Sequence, residues 1–255
     1  MAMRIKEKIA EGQVSFGGWD IMNSIAAAEI MSAAGFDWVV ADVEHGSASI
    51  KDVENFTRAV KMHGAIPMAR VFDHSAYSIR RVLDAGVAGI IVPMISSIEE
   101  VKEIVRLAKY PPLGKRGVGL SASSVYGLEL NQYLEKANED ILILAMLETK
   151  DAAERIEDIL QIPGIDGIFV GPMDLSASYG CMGDTNNERI VAALEKAQSL
   201  CKKYNKICGM HVLNAEKETI ENAIAKGFNF LALYHDAGFI ASGAKNILRI
   251  AEHIN

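Results

Sequence analysis

Residues 34–42, with the sequence AGFDWVVAD, contain a pattern that occurs four times in the chain. The other copies are AGVAGIIVP at residues 85–93, PGIDGIFVG at residues 163–171 and KGFNFLAL at residues 226–233. In each copy a glycine precedes a short apolar run, as happens where a helix ends in a left-handed residue and a strand follows. The runs are continuous rather than alternating, which is typical of strands buried on both faces of a parallel sheet.

Four more stretches have the composition of strands, at residues 14–18, 66–70, 141–147 and 207–211. Amphipathic helical stretches lie between the strands, most clearly at residues 48–63, 96–109, 152–160, 188–204 and 215–226. Eight strands alternating with helices over 255 residues predict an α/β fold, a (β/α)8 TIM barrel, as one domain spanning residues 1–255. A doubly wound parallel sheet is the alternative, but no GxGxxG motif opens its first helix.

Residues 110–140 do not follow the pattern. They contain Pro111-Pro112, three glycines between residues 114 and 119, and the sequence SASS at residues 121–124. The segment lies between the fourth and fifth predicted strands and is too long for an ordinary connection. Long loops inside compact domains are usually functional or mobile, and we expect one of these roles here.

Composition and charge exclude several classes of function. The chain has 33 acidic and 26 basic residues, a net charge of −7, which argues against a nucleic-acid-binding protein. Its longest apolar run, residues 141–147, is far below the roughly 18 residues that span a bilayer, and its N-terminus is charged where a signal peptide is apolar. Three cysteines form neither a CxxC pair nor an even disulfide set. We therefore expect a cytoplasmic protein without a membrane or nucleic-acid partner.

Polar residues follow most of the predicted strands, and the carboxyl ends of barrel strands carry the active site in this fold. These residues are Trp19-Asp20, the run Asp42 to Gly46, Arg70, Glu148, Asp174, His211 and Tyr234-His235-Asp236. Glu148 and Asp174 follow neighbouring strands, and two carboxylates with water suit Mg²⁺ or Mn²⁺. Each also has a structural interpretation: Glu148 as an acid before a helix and Asp174 as an N-cap.

Arg70 and His45 complete the expected chemistry at this rim. An arginine that ends a barrel strand needs an anionic partner, which is either a carboxylate side chain or a substrate carboxylate. His45 by itself is an ordinary loop histidine, but Asp42, Glu44 and Arg70 should lie close to it. A carboxylate beside a histidine sets its tautomer and raises its basicity, as a general base requires.

Taken together and in this order, these motifs resemble the HpcH/HpaI aldolases. The resemblance extends from FGGW at residues 16–19 through DVEHG at 42–46, ARV at 69–71, VPM at 92–94 and YPPLGKRGVG at 110–119. It continues with LET at 147–149 and GIFVGPMDLS at 167–176, and it covers nearly the whole chain. It implies a (β/α)8 barrel of the phosphoenolpyruvate/pyruvate type, which in this family is often hexameric with a C-terminal helix exchanged between subunits.

The resemblance also implies an activity and the role of each residue. Members are divalent-metal aldolases that form or cleave a 2-keto-4-hydroxy acid through a pyruvate enolate, releasing pyruvate and an aldehyde. Carried over by motif, Glu148 and Asp174 bind Mg²⁺, Mn²⁺ or Co²⁺, and the Met173 amide holds the pyruvate carboxylate. Arg70 stabilises the enolate, His45 accepts a proton, and Asp84 raises the basicity of His45. Trp19, Arg70, Met146, Met173 and Asp174 form the expected substrate-binding set.

The chain departs from the family pattern at positions that leave the acceptor open. Met146 stands where the family usually has a glutamine that contacts substrate, and the eighth strand ends in Tyr234-His235-Asp236 rather than small residues. One alternative is a citrate-lyase or citrate-synthase type of enzyme, which condenses an enolate with a ketoacid. Another is a non-catalytic barrel that binds small acids. We expect a homo-oligomer with no other protein partner.

Overall fold

Eight parallel strands form a closed barrel in the computed structural model, which describes residues 3–252. The strands are β1 Ser15–Asp20, β2 Trp38–Asp42, β3 Ile66–Arg70, β4 Gly89–Val92, β5 Leu142–Leu147, β6 Gly167–Val170, β7 Ile207–Val212 and β8 Phe230–His235. Each strand pairs with the next, and β8 pairs with β1. The predicted (β/α)8 barrel is therefore confirmed, with all eight strands near their expected positions.

Helices connect the strands on the outside of the barrel. They are α1 Met3–Ala10, α2 Ile25–Ala33, α3 Ile50–Met62, α4 Ala76–Asp84, α5 Ile98–Ala108, α6 Leu130–Asp140, α7 Lys150–Glu154, α8 Ile156–Leu160, α9 Pro172–Ser178, α10 Glu188–Lys203, α11 Lys217–Ala225 and α12 Asp236–Glu252. Residues 152–160, predicted as one helix, belong to two, because the backbone leaves the helical region at Arg155. No helix within residues 3–252 has the length and apolarity needed to cross a membrane.

The barrel interior is filled by side chains from alternate positions of the strands. Trp38 stacks on Phe230 with ring centroids 3.9 Å apart and planes parallel to within 1°. A Cβ at position 17 would lie 2.1 Å from the Trp38 ring, so only glycine fits beside this tryptophan. Ile5 of α1 packs on the same interior cluster and closes the barrel at the amino ends of the strands.

The segment 110–140 is not the unstructured loop that its composition predicts. It contains a 3₁₀ helix at Ala122–Gly127 and the eleven-residue helix α6. Lys109 Nζ donates hydrogen bonds to the carbonyls of Asn138 and Ile141, 2.7 Å away in each case, which ties the end of α6 to the barrel. Because α5 runs back toward the amino ends of the strands, the segment begins on the face opposite the carboxyl-end rim.

A buried pair of carboxyl groups joins the carboxyl ends of β1 and β8. Asp236 accepts hydrogen bonds from the backbone amides of Ile21 and Met22 at 3.1 and 3.0 Å. Asp20 accepts from the Ser24 amide at 3.1 Å and hydrogen-bonds to the Asp236 side chain. Burial, together with this second carboxyl, raises the pKa of Asp20 to about 8, so Asp20 keeps its proton at neutral pH.

We expect Asp20 to make the protein less stable as the pH rises from about 4 to about 8. In that interval folded Asp20 keeps a proton that the unfolded chain has lost, so the free energy of unfolding falls by up to about 1.4 kcal/mol per pH unit. Asp20→Asn should remove this part of the slope, since the amide keeps a donor for Asp236 and does not titrate. Urea unfolding at several pH values measures the slope, and an identical slope in the variant contradicts this assignment.

Candidate active site

The carboxyl ends of the strands bring the candidate residues to one mouth of the barrel. Asp42 and Arg70 are the last residues of β2 and β3 and are paired in register. Glu148 follows β5 directly, and Asp174 lies in the first turn of α9, directly after β6. Trp19 of β1 lies on the interior face at the same level. The sequence interpretation named all five, and the closed barrel makes them neighbours.

Arg70 is held by two carboxylates and an indole ring. Its Nε lies 3.0 Å from Asp42 Oδ1, and its Nη2 donates a short hydrogen bond to Asp42 Oδ2. Nη1 lies 3.0 Å from Glu44 Oε2, and the guanidinium carbon is 5.4 Å from the centroid of the Trp19 ring. The Trp19 indole N–H in turn donates to Asp42 Oδ2 at 3.1 Å. The guanidinium is thereby fixed in one orientation before any substrate arrives.

Asp42 remains ionised because of this pairing. Burial opposes its ionisation, but the hydrogen bonds and charge of Arg70 outweigh that cost and lower its pKa. The backbone amides of Glu44 and His45 also donate to Asp42 Oδ1, at 3.2 and 3.1 Å. Asp42 therefore anchors both Arg70 and the loop that carries His45.

Glu148 is a buried carboxylate, and no basic side chain within residues 3–252 forms an ion pair with it. Its side chain is almost sealed, with the residue 3% exposed, and burial raises its pKa to about 6. The Met94 amide donates a short hydrogen bond to Oε1, and Met94 adopts a left-handed backbone (φ 51°) at the point where it does so. A Cβ at Gly171 would lie 3.0 Å from Glu148 Oε2, so the glycine avoids crowding that oxygen.

The charges at the mouth fit a divalent cation. The charges of Glu44 and Asp174 both raise the pKa of Glu148, which places three carboxylates near one another. Arg70 carries the positive charge nearest to these carboxylates, and two of its nitrogens already donate hydrogen bonds to Asp42. Within residues 3–252 no three His, Cys, Asp or Glu side chains are arranged to hold a metal by themselves. Glu148 and Asp174 would supply two oxygen ligands, with the rest from water or substrate, as Mg²⁺ prefers.

His45 lies at the edge of this cluster. Its side chain is 70% exposed, and Nε2 is 3.9 Å from Glu44 Oε2. The carboxylate beside His45 in this chain is therefore Glu44, which the sequence interpretation placed nearby without giving it a role.

Asp84 is not brought to His45 within one chain. It is the last residue of α4, a helix that runs from the carboxyl end of β3 back toward the amino end of β4. There its Oδ1 accepts from Nη2 of the buried Arg116 at 2.7 Å. The role expected for Asp84 from the resemblance stays a prediction.

The two methionines differ in their surroundings. Met146 is buried in the interior cluster of the barrel, and its methyl lies against Gly171, since a Cβ there would be 3.3 Å from Met146 Cε. Met173 lies in the first turn of α9 with its side chain half exposed. Met146 thus presents an apolar wall directly below Glu148.

Comparison with known proteins gives one consistent result. Residues 16–242 match the sequence model of the HpcH/HpaI aldolase/citrate lyase family. The 4-hydroxy-2-oxo-heptane-1,7-dioate aldolase of Shigella boydii serotype 4 (strain Sb227) is 32% identical over 247 residues, covering 96% of this chain and 93% of that protein.

Two crystal structures superpose over nearly their whole length. A HpcH/HpaI aldolase/citrate lyase family protein from Burkholderia cenocepacia J2315 has a TM-score of 0.91 and 26% identity, covering 98% of this chain and 99% of that one. The citrate synthase SbnG has a TM-score of 0.85 and 29% identity, covering 97% of each chain. The predicted family is confirmed: this chain belongs to the HpcH/HpaI aldolase/citrate lyase family and is a carbon–carbon lyase of the aldolase type.

Proposed function

We propose that this protein is a class II aldolase that cleaves or forms a short 2-keto-4-hydroxy acid, with pyruvate and an aldehyde as products of cleavage. The observation that carries the proposal is the buried, unneutralised Glu148 beside Asp174, facing the fixed guanidinium of Arg70. The Shigella relative is named for a 4-hydroxy-2-oxo acid, and breaking the C3–C4 bond of such an acid leaves the three carbons of pyruvate.

Glu148 and Asp174 are proposed to hold Mg²⁺, Mn²⁺ or Co²⁺, all of which accept carboxylate ligands. When bound, the cation supplies positive charge next to the keto oxygen of the substrate. The backbone amide of Met173, in the first turn of α9, is the proposed donor to the substrate carboxylate. Trp19 and Met146 form the apolar walls of the pocket.

Arg70 is proposed to stabilise negative charge as it develops on the keto oxygen. A donor fixed in advance is effective because no reorganisation is needed when the charge appears. Asp42, Glu44 and Trp19 provide that fixation. The guanidinium approaches the substrate while its Nε and Nη2 remain bonded to Asp42.

His45 is the proposed base for the C4 hydroxyl proton, directly or through a water molecule. Its exposed ring is free to reach a substrate, and Glu44 Oε2 lies 3.9 Å from its Nε2.

Self-association is part of the proposal. The chain is proposed to be one barrel domain whose helix α12 exchanges between subunits of a homo-oligomer such as a hexamer. Ile240, Ile247, Leu248 and Ile250 of α12 are exposed apolar side chains that such an exchange would cover. Asp84, which pairs with Arg116 of its own chain, is proposed to reach His45 from a second subunit. The free thiols Cys181, Cys201 and Cys208 fit a reducing, cytoplasmic location.

Exchange of the pyruvate methyl protons in D2O tests the donor half of the reaction without knowledge of the acceptor. With Mg²⁺ or Mn²⁺ present we expect NMR to detect this exchange, and after addition of EDTA we expect none. Exchange that persists without metal contradicts the proposal. Binding of metal and pyruvate with no exchange favours the non-catalytic alternative.

Product analysis separates the aldolase from its closest alternative. The similarity to the citrate synthase SbnG supports an enzyme that condenses an enolate with a ketoacid. Mass spectrometry after incubation with pyruvate and either an aldehyde or oxaloacetate distinguishes the two. We expect a 2-keto-4-hydroxy acid from the aldehyde, and condensation with oxaloacetate alone contradicts the aldolase assignment.

A further inference from the structure

Two histidines at the barrel mouth have no role in the chemistry proposed above. His211 lies near the end of β7 on the inward face, two positions after Gly209 and four after Ile207. Its ring stacks on Trp19, with centroids 5.2 Å apart and an angle of 22° between the planes. His235 ends β8, and the two imidazole rings meet edge to face with centroids 6.2 Å apart.

An irregularity in β8 is what turns His235 toward His211. Ala232 pairs with Gly17 and His235 pairs with Trp19, so β8 has one extra residue at this point. Strand alternation alone would place Tyr234 inward, after Phe230 and Ala232. Tyr234 instead adopts a left-handed backbone (φ 66°), and bulges of this kind next to active sites commonly re-aim side chains.

Tyr234 packs outward against α12 as a result. Its ring meets Phe239 edge to face with centroids 5.5 Å apart, and its hydroxyl lies 3.2 Å from Ser242 Oγ. A Cβ at position 238 would lie 2.5 Å from the Tyr234 ring, so glycine is required there. Packing of the Tyr234 ring against α12 therefore stabilises the strained backbone at this residue. The same backbone turn directs the His235 side chain into the mouth of the barrel.

Backbone partners determine which nitrogen of each ring carries the proton. His211 Nε2 lies 3.1 Å from the Tyr234 carbonyl, which only accepts, so Nε2 is the protonated nitrogen and Nδ1 has a lone pair. His235 Nδ1 accepts from the Gly238 amide at 3.1 Å, so Nε2 is the protonated nitrogen in the neutral ring. Within residues 3–252 neither His211 Nδ1 nor His235 Nε2 has a hydrogen-bond partner, and both side chains are partly exposed.

The environment keeps His211 neutral. Burial lowers its pKa to about 4, and the nearby charge of Arg70 acts in the same direction. Nδ1 of His211 is therefore an acceptor at neutral pH, where the ring carries no positive charge.

We propose that His211 Nδ1 and His235 Nε2–H bind a hydroxyl group on the aldehyde partner, so that the enzyme prefers hydroxyaldehydes. This inference rests on the proposed aldolase function. A hydroxyl both donates and accepts, which matches one free acceptor and one free donor. A carboxylate would face the lone pair of His211, and an alkyl group would leave both imidazole nitrogens without a partner on a desolvated wall.

Glycolaldehyde and propanal test the subsite, because they differ chiefly in a hydroxyl against a methyl. We expect the wild-type kcat/KM for condensation with pyruvate to favour glycolaldehyde over propanal by about tenfold. His211→Phe keeps an aromatic ring on Trp19 and should bring this ratio close to one. His235→Asn keeps an acceptor for the Gly238 amide but loses Nε2, and should lower the ratio in the same direction. His63→Phe, at an exposed residue of the opposite face, is the matched control.

Methyl-proton exchange of pyruvate separates the possible results. Both mouth variants should exchange at the wild-type rate, because the donor half does not use these histidines. If both variants keep the wild-type preference for glycolaldehyde over propanal and also exchange pyruvate protons normally, the hydroxyaldehyde subsite is overturned but the proposed function stands. Loss of exchange in either variant also overturns it, since the effect then lies in the donor half. Absence of exchange in the wild type overturns the proposed function and this inference with it.

Discussion

Replacing Arg70 with lysine is expected to lower the rate of pyruvate methyl exchange about 100- to 1000-fold, the usual effect of removing one fixed donor to a developing oxyanion. Lysine keeps a positive charge, but one ammonium group cannot hold both oxygens of Asp42 and also reach Glu44. The charge at the keto oxygen is then poorly placed. Exchange measured by NMR at saturating Mn²⁺ and pyruvate gives the change in kcat.

Replacing Arg70 is also expected to lower the stability of the protein, and this effect can be separated from the loss of catalysis. Arg70→Ala leaves Asp42, 2% exposed, as an uncompensated buried charge, and should cost about 3–5 kcal/mol of unfolding free energy. The double variant Asp42→Asn with Arg70→Ala should recover much of that stability and none of the activity. Arg106→Lys, on an exposed face of α5, is the matched control and should change neither quantity. Full exchange activity in the double variant would contradict the role of Arg70.

Replacing Glu148 with glutamine is expected to weaken metal binding but to raise the stability of the metal-free protein. The neutral amide keeps an oxygen for the Met94 amide but loses the charge that attracts a divalent cation. Affinity for Mn²⁺ should fall at least about 100-fold, since one of the two proposed protein ligands is weakened. Titration calorimetry with Mn²⁺ measures this, and methyl exchange should be lost in parallel.

In EDTA the same variant should be more stable than the wild type at neutral pH. The pKa of Glu148 is raised to about 6, so the folded wild-type protein loses stability as the pH rises from about 4.5 to about 6. Glutamine does not titrate and avoids this loss, which amounts to at most about 2 kcal/mol. Glu103→Gln, at a surface residue of α5, provides the control. Wild-type Mn²⁺ affinity in Glu148→Gln, or lower stability in EDTA, would contradict the metal-site assignment.

Local sequence was enough to find most of the candidate site. Each apolar run is followed at once by the residue that the barrel presents at its mouth, as with Arg70 after residues 66–69 and Glu148 after residues 142–147. In a parallel barrel, adjacency along the chain and adjacency at the rim are linked by the strand order, so reading strand ends locates the site. Glu44 was visible for the same reason, although its contact with Arg70 was not assigned.

Residues 110–140 show where local composition misled. Prolines, glycines and serines predicted a long loop, whereas α6 occupies the second part of the segment. This helix is held by tertiary contacts, among them the two hydrogen bonds from Lys109. No capping residue marks the start of this helix, since its N-cap position, Glu129, makes no side-chain cap hydrogen bond.

By itself the sequence determined the barrel, the order of its strands and the polar residue that ends each of them, because these depend on local hydrophobic pattern and chain order. Only the tertiary structure decided three other features: the proton that Asp20 keeps beside Asp236, the pairing of Asp84 with Arg116, and the inward turn of His235. Each depends on how segments distant in the chain meet in space. Closure of β8 on β1 joins the two ends of the chain, and the extra residue in β8 reverses which side chain faces the mouth.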